Sequence, residues 1–221
     1  MAPIPVVEQR PCRRRALPRL IPLALAAIML STTVSDGTAM LPSPLLFGTD
    51  GVYSPDLRGF RKWRGALDRF ARDLADPASA DADAWRRFVA ALPGADAGPA
   101  LFEAVNTAVN GRRYVTDPVN WGLGDYWASP LEFLRRSGDC EDFAVAKYLA
   151  LRDRGVPADD MRVVVLDDLQ LGVTHAVLAV RRDAAFYVLD NQQSDILPAD
   201  AIPHYQPIYA INEQGWWNYG E

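Results

Sequence analysis

Hydrophobic positions change period midway along the chain. Before residue 155 they recur every three or four places; beyond it they come in short β-branched runs. Phe60, Trp63, Leu67, Phe70 and Leu74 predict an amphipathic helix over 56–74. A second helix is expected over about 83–92, closed by Pro93-Gly94. A third spans 99–110, with Phe102, Val105 and Val109 on one face and Gly111 as its stop. Ser129-Pro130-Leu131-Glu132 places Ser at the N-cap, Pro at N1 and Glu at N3, a complete capping box for a short helix ending near Ser137. Another helix begins at or beside Cys140 and runs to about Arg154 with Phe143, Ala146, Leu149 and Ala150 on its apolar face. The runs 162–166, 174–181, 186–190 and 208–211 then read as an antiparallel sheet. Helices first and strands afterwards predict an α+β fold with the helices packed on one face of the sheet. Residues 40–55 read as an extended lead-in, and 111–128 as an ordered loop rich in Trp and Tyr.

The first 39 residues follow a different logic. Arg10, Arg13, Arg14, Arg15 and Arg19 form a basic block, Leu20 to Leu30 is apolar, and a small-residue stretch with Gly37 and Ala39 follows. That order is expected of a secretory signal peptide, with an uncleaved anchor as the alternative. The apolar run is short of the roughly 20 residues a spanning helix needs. The expected division is a signal peptide over 1–39 and one domain over 40–221, exported to the periplasm.

Charge and cysteine content sharpen this picture. Removing the five arginines together with Glu8 and Asp36 takes the formal charge from −5 to −8. An acidic domain argues against a nucleic-acid partner, which would call for a basic face. Of the two cysteines, Cys12 lies in the leader, so Cys140 stands alone in the exported domain. A lone thiol with His and Asp elsewhere in the chain is a candidate nucleophile; the plain alternative is a buried structural cysteine.

The surroundings of Cys140 favour chemistry. At a helix N-terminus the unsatisfied N–H groups favour thiolate and can help hold an oxyanion. His175 lies in the hydrophobic run Thr174-His175-Ala176-Val177-Leu178, where an imidazole has no packing reason to be. The other histidine, His204, reads as a surface loop residue. Asp190 ends the next strand; if the two strands form a hairpin it comes alongside His175 and fixes its tautomer. Asp139, Glu141 and Asp142 crowd the sulfur and should oppose thiolate formation unless a hard cation such as calcium offsets them. The plain alternative is helix capping by Asp139, with Glu141 and Asp142 favouring the helix dipole.

Tyr126-Trp127-Ala128-Ser129-Pro130-Leu131-Glu132, then Gly138-Asp139-Cys140-Glu141-Asp142-Phe143-Ala144 and Lys147-Tyr148, then Thr174-His175-Ala176 and Leu189-Asp190-Asn191, resemble the bacterial transglutaminase-like cysteine proteinases. The resemblance covers roughly residues 50–219. It implies a papain/transglutaminase-like fold, a Cys140, His175 and Asp190 triad, and calcium (Ca2+) held through Asp139 and Glu141. It further implies a large surface adhesin as protein substrate, cut near its N-terminus at a pair of small residues. An inner-membrane cyclic-di-GMP receptor is the implied regulator, and biofilm attachment the process controlled. Acyl transfer of the transglutaminase or amidase type on the same triad stays open at this point, as does a non-catalytic calcium-dependent binding module.

Overall fold

The structure is a computed structural model that describes residues 45–220; the expected signal peptide lies outside them. Its elements are β1 (Val52–Ser54), α1 (Arg61–Leu74), α2 (Ala80–Ala90), α3 (Pro99–Asn110), α4 (Asp117–Asn120), α5 (Pro130–Arg136), α6 (Cys140–Asp153), β2 (Met161–Asp168), β3 (Val173–Arg182), β4 (Ala185–Leu189), β5 (Leu197–Pro198), β6 (Tyr205–Ile211) and β7 (Trp216–Asn218). The strands form one antiparallel sheet in the order β1-β7-β6-β2-β3-β4-β5.

Local chemistry sets the helix ends. α1 starts at Arg61 rather than 56, because Asp56 accepts from the Arg58 amide and guanidinium and turns the chain there. α2 starts earlier than expected, because the Ser79 hydroxyl accepts from the Ala82 amide and caps it. α3 follows Gly98, whose φ of 56° suits glycine, and takes Pro99 at its first position. The α5 capping box is present as expected.

The sheet is buried on both faces. Met161, Val163, Leu178, Val180, Leu189 and Ile211 join the helices in the larger core, around α6. Alternate residues Val164, Leu166, Val177, Ala179, Phe186 and Val188 join Leu46, Ala199, Ile202 and Tyr205 in a smaller one. The lead-in, expected as extended, pairs with the aromatic C-terminus as β1 and β7: Tyr53 faces Trp217 with ring centroids 5.1 Å apart. Among the described residues no helix is long and apolar enough to cross a membrane.

Candidate active site

Cys140 is the first residue of α6, which packs on β3 and β2. Asp139 and Asp142 cap that helix reciprocally. Asp142 is fully buried; its Oδ1 accepts from the Ala128 amide at 2.6 Å and its Oδ2 from the Asp139 amide at 3.3 Å. Gly138 is required here, because a Cβ on it would stand 2.0 Å from Asp142 Oδ2. The thiol of Cys140 is buried and donates to Glu141 Oε2 at 3.2 Å.

The 111–128 segment, expected as an ordered loop, contains α4 and supplies two carboxylates that the sequence reading did not identify. The Val115 amide donates to the Gly138 carbonyl at 2.8 Å, and Asn120 Nδ2 to the Ser137 carbonyl at 3.0 Å. These bonds set Asp117 and Asp125 beside the helix start. One oxygen each from Asp117, Asp139 and Asp142 lies within 4.8 Å of the others, and so does one each from Asp117, Asp125 and Glu141. Asp117 Oδ2 accepts from the Tyr126 amide, and Asp125 Oδ2 pairs with Lys62 of α1.

Electrostatics in this cluster are unfavourable as it stands. Burial, with the charges of Asp139 and Asp125, pushes Asp117 up to about 7, against the Tyr126 amide and Lys62. Burial raises Asp139 despite a proton-sharing contact with the Glu141 carboxyl and the bond donated by the Asp117 amide. Asp142 is raised well above the usual carboxylate range, by burial and then by Asp139. Asp117 Oδ1, Asp125 Oδ1 and Asp139 Oδ1 are buried with no hydrogen-bond partner among the described residues. Orphaned, crowded carboxylate oxygens are the donor set that a hard divalent cation takes, so the residues fit such an ion.

The second constellation is fully satisfied. β3 and β4 form the expected hairpin, with Leu178 opposite Leu189, and His175 Nε2 lies 2.9 Å from Asp190 Oδ1. Both side chains are buried. The Gln192 amide donates to Asp190 Oδ1 at 2.9 Å and the Tyr205 hydroxyl to Oδ2 at 2.6 Å, while Asn110 Nδ2 donates to the Asp190 carbonyl at 2.7 Å. Burial alone would raise the Asp190 carboxyl; the bond and charge of His175, with Gln192 and Tyr205, outweigh it and hold the group below its ordinary value. An ionised Asp190 accepts from Nε2–H, which leaves the lone pair of His175 on Nδ1, where Gln192 Nε2 stands 3.4 Å away. His175 has the parity of Val177, and its ring meets Tyr205 edge-on at 6.0 Å. His204 meets the same tyrosine edge-on, with ring centroids 4.7 Å apart.

Two tryptophans of the 111–128 segment pack against neighbours. Trp127 is buried against Trp63 at 6.4 Å, and its carbonyl accepts from Arg69, so it serves the core beside the site. Trp121 lies under the Arg136 guanidinium at 4.3 Å. Tyr209 of β6, unremarked in the sequence, feels the charges of Glu141, Asp125 and Cys140 on its hydroxyl, which burial chiefly pushes up.

The family model for the bacterial transglutaminase-like cysteine proteinases matches residues 90–218, from the end of α2 through β7. Among solved structures, calcium-bound LapG of Legionella pneumophila is 33% identical, covers 71% of this chain and 90% of its own, and superposes with a TM-score of 0.55. The EGTA-treated form is 31% identical, with coverages of 76% and 89% and a TM-score of 0.55. No curated protein matches. A helix-borne cysteine, a buried His–Asp pair on adjacent antiparallel strands and a family match spanning both agree on one assignment: the chain belongs to the bacterial transglutaminase-like cysteine proteinases, with their transglutaminase-like fold.

Proposed function

We propose that this chain is an exported, calcium-dependent cysteine endopeptidase that cleaves the N-terminal region of a large surface adhesin. Cys140 is the nucleophile. His175 takes the thiol proton at Nδ1 and later returns a proton to the leaving amine. Asp190, held by Tyr205 and Gln192, orients the ring and stabilises the imidazolium. The α6 N-terminus favours the thiolate and contributes N–H groups toward the oxyanion.

The observation that carries the metal dependence is the set of orphaned oxygens on Asp117, Asp125 and Asp139 next to the nucleophile. Asp117, Asp125, Asp139 and Glu141 would hold calcium, and Asp142 stays with the helix cap. When bound, the ion neutralises the carboxylates crowding the sulfur, including the Glu141 carboxylate that takes the thiol hydrogen bond. The calcium-bound form of the Legionella relative supports the choice of ion. Periplasmic location, control of biofilm attachment and sequestration by an inner-membrane cyclic-di-GMP receptor belong to the same reading.

The test is cleavage of the N-terminal region of a large adhesin encoded in the same genome. The wild type should cut at a pair of small residues, and Cys140→Ala or chelator should abolish it. Cleavage that survives chelation would remove calcium from the account. Isopeptide cross-links in place of peptide products would replace hydrolysis by acyl transfer.

A further inference from the structure

The start of α1 carries charge of the wrong sign for a helix N-terminus. Arg61, Lys62 and Arg64 fall in its first turn, with no acidic residue and no side-chain cap. The unsatisfied N–H groups there favour anions, so the helix itself gives these cations no support. For Lys62 the support comes from the acidic cluster. Its ammonium pairs with Asp125 Oδ2, on the carboxylate whose other oxygen is buried without a hydrogen-bond partner among the described residues. Its charge also works against the rise of Asp117.

The helix that carries this lysine is firmly docked. Arg69, seven residues on and so on the same side of α1, donates to the Trp127 carbonyl and, at 3.1 Å, to Glu132 Oε2. Its guanidinium lies 4.6 Å from the centroid of the Tyr126 ring, and Trp63 meets Trp127 edge-on. α1 therefore lies along residues 126–132, directly after Asp125, with Lys62 at the end that reaches the cluster. The Lys62 side chain is 44% exposed and that of Asp125 35%, so the ammonium can withdraw without disturbing the core.

Asp125 is one of the four carboxylates proposed above to hold calcium. Its Oδ2 cannot serve an ammonium and a divalent cation at full strength, and the two positive charges repel. We propose that Lys62 is a built-in competitor for the cation: it supplies one positive charge to the metal-free cluster and so raises the calcium concentration at which the site fills. The proposal rests on the calcium reading above.

Calorimetric titration of calcium into the EGTA-stripped, desalted full chain tests it, with Lys62→Met and Lys62→Arg beside the wild type. Lys62→Met should bind calcium about fivefold more tightly at low salt. The gap should shrink below about twofold in roughly 1 M KCl, where charges are screened over a few ångströms. Lys62→Arg keeps the charge and should stay near the wild type. Unchanged binding by Lys62→Met overturns the proposal; so does weaker binding, which would make Lys62 an orienting partner of Asp125. Equal tightening in Lys62→Arg overturns it as well, because charge would not then be the cause. Failure of the calcium reading is distinguishable: the wild type itself would take up no calcium, and this proposal would fall with it.

Discussion

A buried single carboxylate and a crowded carboxylate cluster lie in this one domain, and they are built to opposite ends. Around Asp190 both carboxylate oxygens are satisfied, by His175, Gln192 and Tyr205, and the carboxyl is held below its ordinary value despite burial. Around Asp117 the oxygens crowd one another, three lack partners, and burial with mutual repulsion drives the carboxyls upward. The first group is complete as protein. The second is complete only with a cation or with protons. Burial is common to both, so hydrogen-bond supply decides the difference.

The sharpest way to break the comparison is to remove the nucleophile or a member of the satisfied group. Cys140→Ala or His175→Ala should lower cleavage by about 10³-fold or more, and Asp190→Asn by about 10⁴-fold, with the fold retained by circular dichroism. A loss below tenfold for His175→Ala would show that the buried pair is structural.

Next in size is Asp117→Asn, which should weaken calcium by at least the 10–100-fold typical of disturbing a metal site, read by calorimetry. Tyr205→Phe removes one charge-assisted bond from Asp190 and should destabilise the protein by about 2 kcal/mol. Asp190 is depressed in the fold, so its contribution is present above the ordinary aspartate value and lost as pH falls toward its lower folded one. Tyr205→Phe should narrow that acid-tolerant window in thermal melts.

The smallest effect is a pH trend of opposite sign in the acidic group. Asp117 is raised in the fold, so protonation stabilises the metal-free protein. That stability is full below the ordinary aspartate value and lost as pH rises through about 7. Metal-free protein should therefore gain from mild acidification at this group, while apparent calcium affinity falls as pH drops through about 7. Equal calcium affinity at pH 6 and pH 8 would remove Asp117 from the ligand set.

Local signals in the sequence carried much of this. The capping box at Ser129, the stop at Gly111 and the helix start at Cys140 depend on neighbours within a turn, and all three appear in the structure. The His175–Asp190 contact was legible because a hairpin links residues only 15 apart. The second half of the acidic cluster was not, because Asp117 and Asp125 reach Asp139 only through bonds that close a long excursion of the chain over α4 and α5. The one local hint was Thr116-Asp117-Pro118, a helix-start pattern that leads into α4. Tyr205 reads from sequence as the neighbour of a surface histidine, and β1 and β7 find each other across more than 160 residues, from Ser54 to Trp216 at the nearest pair. Lys62 illustrates the same limit: its partner Asp125 lies far along the chain, on the other side of α2 and α3.

The most direct test of the contrast is calorimetric titration of calcium into the EGTA-stripped protein at pH 7.5, beside Asp117→Asn and Asp190→Asn. Saturable binding that Asp117→Asn loses and Asp190→Asn keeps is the predicted result. Absence of binding to the wild type, or equal binding by Asp117→Asn, would contradict it.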